Sequence, residues 1–239
     1  MGEDADMRFA PWSTRAPNLP EHGDNPVHTR EGGLAAGFAG AVVSGVTVYA
    51  HAVRPIAQGW GPEWVTGGGI EMWFRGAVIE HDLVEVHGDP TEVVASVNGR
   101  RCVVLAPERA VTPPPPPDGV TLDPLIEVMN DEWVGYAARC GADLPLYREH
   151  DLVHPVVWPS LANRVFRRQL VDGPWMHTRS RVWHLAAVRP GDVVVVESWE
   201  TDRFTTRAGE RAVVEMRLSV DDDIVVAIEH EALVSLHRG

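Results

Sequence analysis

The sequence contains no lysine: all 21 of its basic residues are arginine. That absence excludes Schiff-base chemistry, which needs a lysine amine, and a P-loop, whose motif includes a lysine. Only two cysteines are present, Cys102 and Cys140, far apart and without metal-ligand spacing, so they read as reduced structural residues. No apolar run approaches the roughly 20 residues needed to span a bilayer. The acidic start MGEDADMRF carries no signal-peptide apolar region. The expectation is a soluble cytoplasmic protein with no membrane partner. The net charge of −13 argues against nucleic acid as a partner. Ligand clusters and nucleotide fingerprints are also missing, so no metal and no redox cofactor is expected.

What is present points to a large folded unit. An apolar fraction of 44% and nine tryptophans are enough for a sizeable core, which excludes a disordered chain. The clearest boundary is TPPPPPDG, residues 112–119, where prolines favour extended polyproline II and neither helix nor central strand can continue. It reads as a spacer between halves spanning 1–111 and 120–239.

The two halves resemble each other. IEMWFRGAVIEHDLVEVHG (70–88) and SRVWHLAAVRPGDVVVVES (180–198) align without gaps at an offset of 110, with Trp73 opposite Trp183 and Asp82 opposite Asp192. Each reads as strand, tight connection, second strand, and self-similarity at a fixed spacing marks a duplicated unit. Hairpins follow in both halves, at Asn98-Gly99 and at Asp221 to Asp223. An apolar helix precedes the strands in each, over roughly 40–57 and over 155–170. A further helix is expected over 123–141, with Asp123 as N-cap and Leu125, Met129, Trp133 and Tyr136 on one face. The fold class is therefore α+β: in each half an antiparallel sheet wraps a long apolar helix and buries it.

Chemistry concentrates in EHGDNPVHT, residues 21–29. His28 near a carboxylate can activate a water or hold the proton of a carbon acid. Asn25 can orient a carbonyl or water, and Pro26 stiffens the turn. Gly45 falls near the start of the apolar helix, where unpaired N–H groups and the helix dipole can receive an oxyanion. Asp-Asn-Pro is equally a plain turn signal, with Asp24 forming an Asx-turn. The second half has no such run. Its polar cluster is GPWMHTRSRVWH, where His177, Arg179 and Ser180 could line a tunnel between the halves or form a solvated strand edge. Arg164, Arg167 and Arg168 are the densest basic group, suited to a phosphate or to a solvated helix face.

The order of these pieces resembles the MaoC-like dehydratases and (R)-specific enoyl-CoA hydratases, whose signature runs Asp-x-Asn-Pro-x-His, then Gly-Phe, then a small-residue helix start. Asn25-Pro26-Val27-His28, Gly37-Phe38 and Ser44-Gly45 stand in those places. The resemblance implies two hot-dog repeats in one chain, a double hot-dog. It implies that His28 acts as base or acid with Asp24 on the same water, and that Asn25, Ser44 and Gly45 bind substrate. The family acid lies five residues before the histidine, where this chain has Gly23, so either Asp24 reaches the site by another route or the acid is missing. His177, Arg179 and Ser180 would shape the substrate tunnel. The implied reaction is hydration of a 2-enoyl thioester, or dehydration of a 3-hydroxyacyl thioester, carried on CoA or an acyl carrier protein. CoA or phosphopantetheine would enter only as part of the substrate. A monomer would already hold both repeats, and a homodimer is the other assembly open to it. A non-catalytic acyl-binding protein or subunit and a drifted enzyme of the same fold remain alternatives. A thioesterase ranks below them, because neither 41–57 nor 154–170 contains a carboxylate.

Overall fold

The structure is a computed structural model that describes residues 7–236. The first half begins with β1 (Trp12–Arg15), two 3-10 turns (Pro20–His22 and Pro26–His28) and α1 (Arg30–Ala35). Then come α2 (Gly45–Trp60), α3 (Pro62–Gly67), β2 (Gly69–Phe74), β3 (Leu83–Gly88), β4 (Val93–Val97) and β5 (Arg100–Glu108). The second half begins with β6 (Val120–Thr121) and β7 (Leu125–Val128), followed by α4 (Asp131–Val134), α5 (Tyr136–Arg139) and α6 (Pro145–Glu149). It ends with α7 (Val157–Gln169), β8 (Met176–His184), β9 (Val193–Thr206), β10 (Gly209–Val220) and β11 (Asp223–Leu236).

All the strands belong to one 11-stranded antiparallel sheet in the order β1-β3-β4-β5-β2-β8-β11-β10-β9-β6, with β7 also on β9. The halves join where β2 pairs with β8, Gly69 opposite Trp183 and Trp73 opposite Arg179. At the middle of that ladder Glu71 faces Arg181, its own counterpart at the offset of 110. A local two-fold axis therefore passes between them, as a duplicated unit pairing with its copy requires. Cross-strand ion pairs cover this seam on the outer face: Arg179 reaches Glu71 and Glu229, each at 2.7 Å, and Arg181 reaches Glu108 at 3.0 Å.

Helix α2 is buried nearly all round, Val46, Val48, Val53 and Ile56 among its residues. Such a helix has no face for water and is stable only when enclosed, each of those side chains contributing about 1.5–3 kcal/mol. Pro55 lies inside it and cannot donate to the carbonyl of His51. The indole of Trp12 donates to that carbonyl instead, at 3.1 Å, so β1 completes the helix it packs against. In α7 the apolar face, including Leu161, Val165 and Phe166, is buried, while Arg167 and Arg168 are exposed.

Both hairpin turns follow the sequence. Asn98 and Gly99 have φ of 51° and 76°, and Asp221 and Asp222 have 49° and 70°, the doubly left-handed turn that tight antiparallel hairpins favour. Two helix expectations need correcting. The first apolar helix starts at Gly45, not near 40, because Val42 is held in a bridge to Ile79. The helix expected over 123–141 is instead the strand β7 followed by the short helices α4 and α5. Leu125 to Val128 pair with Val193 to Val196, giving the edge of β9 a hydrogen-bonding partner, and Asn130 is the cap where the chain turns helical. Leu125, Met129, Trp133 and Tyr136 are nevertheless all buried. Residues 112–118 have no regular structure, and Arg217 donates to the carbonyl of Pro115 at 2.6 Å.

Candidate active site

The turn around His28 is held by bonds to both halves. Asn25 lies at the cap of the second 3-10 turn and donates through Nδ2 to the carbonyl of Trp175 at 2.9 Å. Asn18 donates to the carbonyl of His28, and Thr29 caps α1 by accepting from Gly32 N at 3.0 Å. His28 itself donates through Nδ1 to the carbonyl of Val42 at 2.7 Å. A carbonyl can only accept, so Nδ1 carries the proton and Nε2 is left with its lone pair. Burial lowers the pKa of His28, which keeps the ring neutral at pH 7. The ring is therefore a positioned neutral base.

His28 stands where two cavities meet. They share Asn25, His28, Ser44, Asn163 and Trp175. The larger, of about 310 Å³, is walled chiefly by apolar side chains such as Val27, Val43, Val48, Phe74 and Val103. The smaller, of about 110 Å³, is polar and lined by His22, Tyr136, Arg139, Arg164 and Arg167 among others. Gly45 is the first residue of α2 and lies in the wall of the larger cavity. The N–H groups of Gly45 and Val46 have no helical carbonyl to bond, and the helix dipole places partial positive charge there. A Cβ on Gly45 would lie 3.0 Å from the ring of Phe74, so a glycine keeps this approach open.

The remaining sequence candidates divide. Ser44 is buried at the N-cap of α2, makes no capping bond through its side chain, and lines both cavities. Asp24 lies on the rim of the smaller cavity with its side chain 72% exposed and its carboxylate paired with Arg167. Its charge turns outward to that guanidinium rather than toward the imidazole of His28. His177 lies in the wall of the larger cavity, its ring 4.3 Å from Phe74 and 4.0 Å from His230. Ser180 lies behind it, its hydroxyl 2.7 Å from His177 Nε2 and 2.8 Å from His230 Nδ1. Arg179, expected beside them, is on the other face in the ion pairs with Glu71 and Glu229. A bulge explains the split: Glu231 pairs with Arg179 and Ala232 with His177, leaving Thr178 as an extra residue in β8. That shift turns His177 to the side of Ser180 instead of the side of Arg179.

Two arginines of the basic group on α7, Arg164 and Arg167, are committed to carboxylates. Arg164 pairs with Glu127 at 2.5 Å and lies 4.6 Å over the ring of Trp133. Arg167 pairs with Asp24, Arg139 pairs with Glu21 at 2.9 Å, and Arg168 is exposed. Sequence reading missed His22, Thr47, Tyr136 and Asn163. His22 lies 5.8 Å from His28 between ring centres, and its Nε2 is 2.7 Å from the Tyr136 hydroxyl, which is 2.9 Å from Thr47 Oγ1. His22 falls within the stretch singled out by sequence, but Tyr136 is 114 residues away and looked like one more apolar helix position. Among the described residues no group of three or more His, Cys, Asp or Glu is placed to hold a metal ion, and no helix is long and apolar enough to cross a membrane.

No protein-family model matches the sequence, and no curated protein matches it. Solved structures do. The RV0216 protein of Mycobacterium tuberculosis, which has a double hot-dog fold, superposes with a TM-score of 0.66 at 12% identity, covering 95% of this chain and 96% of its own. A protein of Chloroflexus aurantiacus named for a MaoC dehydratase domain gives 0.61 at 11% identity, covering 98% and 95%. One of Lactobacillus plantarum named as an oleoyl thioesterase gives 0.53 at 10% identity, covering 98% and 99%. The paired sheets, the two enclosed helices and these superpositions agree: the chain is a double hot-dog protein, with the fold that a MaoC-like dehydratase carries.

Proposed function

We propose that the protein hydrates a 2-enoyl thioester, or dehydrates the corresponding 3-hydroxyacyl thioester, carried on CoA or an acyl carrier protein. The observation that carries this reading is His28, whose Nδ1 is committed to Val42 and whose Nε2 is left as a base between the polar and the apolar cavity. In the dehydration direction His28 takes the proton from C2 as water is lost across C2 and C3, and in hydration it returns that proton to C2. The electron pair moves to the thioester oxygen, which the N–H groups of Gly45 and Val46 receive. The larger cavity takes the acyl chain. Arg139 and Arg167 at the rim are within the charge needed by the phosphates of the carrier, once exchanged from Glu21 and Asp24.

The test is loss of the enoyl-thioester absorbance when the protein meets crotonyl-CoA and longer 2-enoyl-CoAs, with His28→Ala alongside. Positioned acid–base catalysis contributes about 10²–10⁴-fold, so the variant should lose that much of kcat/KM. Unchanged absorbance with wild type at every chain length would sink the proposal. Thioester hydrolysis is the second reading, favoured by one feature: a lone neutral base can equally aim water at the carbonyl. Release of free thiol, read in the same cuvette, separates it from hydration.

A further inference from the structure

A base alone does not complete dehydration, because hydroxide is a poor leaving group and its oxygen needs a proton as the C–O bond breaks. Asp24, the carboxylate four residues before His28, faces solvent and Arg167. The smaller cavity brings a different proton carrier to His28 from the second half of the chain. Tyr136, at the start of α5, is buried against that cavity, and its hydroxyl lies 2.7 Å from His22 Nε2 and 2.9 Å from Thr47 Oγ1. Thr47 is in the first turn of α2, whose N-terminus holds the site of the oxyanion. His22 and His28 stand 5.8 Å apart, so the phenol and the base border the same space.

We propose that Tyr136 is the acid of the reaction, its hydroxyl protonating the oxygen that leaves C3. The assignment rests on the dehydratase reading above. His28 Nε2 removes the proton from C2, and the electron pair moves to the thioester oxygen. It then returns to form C2=C3 as the C3–O bond breaks, and the departing oxygen takes the proton of Tyr136 to become water. The phenolate is stabilised by O–H donation from Thr47 and N–H donation from His22 Nε2. The proton on His28 then returns to the phenolate through the water just formed, so no group is consumed. Burial holds the phenol well above its ordinary pKa, so it keeps its proton at every working pH, and burial pushes His22 down to about 4, so it stays a neutral donor.

The experiment compares two substrates on wild type and Tyr136→Phe: a 3-hydroxyacyl-CoA, whose leaving group needs a proton, and the 3-chloroacyl-CoA, whose chloride leaves without one. Tyr136→Phe is expected to lose about 10²–10⁴-fold in kcat on the hydroxy substrate, with KM little changed, while chloride elimination persists near the wild-type rate. Thr47→Val, which strips one donor from the phenolate, should show the same selectivity with a loss of about 10-fold. Equal losses on both substrates would assign Tyr136 a structural role and overturn the proposal, as would unchanged dehydration. Should Tyr136→Phe not fold, Thr47→Val decides by the same comparison. A wild type that eliminates chloride and water from neither substrate overturns the dehydratase reading itself, and this assignment with it.

Discussion

A carboxylate does chemistry only where its charge is needed, and Asp24 spends its charge on Arg167 at the surface. Asp24→Asn is therefore expected to leave turnover within about twofold of wild type, since an exposed ion pair is worth roughly 0–1 kcal/mol. Steady-state rates on a 2-enoyl-CoA check this, and a loss as large as that of His28→Ala would restore Asp24 as the acid. The sequence showed that His28 belongs to a turn with Asn25. It could not show which carboxylate or phenol would face the ring, because that depends on residues more than a hundred positions away.

At the scale of single elements, two local irregularities shape the fold around the site. Pro55 leaves a helix carbonyl unpaired, and Trp12 supplies the missing donor. Trp12→Phe keeps the ring and removes the N–H, so it should destabilise the fold by about 1–3 kcal/mol, the cost of an unsatisfied buried acceptor. A urea titration measures it, and an unchanged midpoint would mean that water serves the carbonyl equally well. The bulge at Thr178 puts His177 into the wall of the larger cavity. Deleting Thr178 removes the extra residue and leaves His177 opposite Ala232, so His177 should keep its inward side and turnover should persist. Lost turnover would instead mean that the hydroxyl of Thr178, bonded to Glu231, holds the cavity wall in place. The sequence reading grouped His177, Arg179 and Ser180 as one cluster, and the bulge that separates Arg179 from the other two is invisible in sequence because any residue type can occupy it. The helix expected over 123–141 failed for a related reason: Leu125 to Val128 fit either period, and the open edge of β9 chose the strand.

Across the whole molecule, neutral histidines are built into the interior. Burial pushes His154 and His177 down to about 3 and His184 and His22 to about 4, and holds His230 well below its ordinary value. The unfolded chain, with histidines near 6.5, binds protons that the native state refuses. Stability from these groups is therefore fully present above about pH 6.5 and is lost as pH falls toward about 3–4. Melting temperatures should hold from pH 8 to 7 and fall steadily from pH 6 to 5. A flat profile over that range would mean that the buried rings find proton-bound partners.

The sequence by itself determined the duplication, the two enclosed helices, the hairpin turns and the histidine turn, because each is encoded by neighbouring residues through a fixed period or a required backbone angle. The Trp73 and Trp183 repeats and the Asn98-Gly99 turn are such signals. Tertiary structure alone decided how the copies join through β2 and β8, which face His177 and Arg179 take, and which second group meets His28. Those outcomes depend on pairing energies between segments remote in the chain, and only the folded chain brings Tyr136 and His22 within one hydrogen bond of each other.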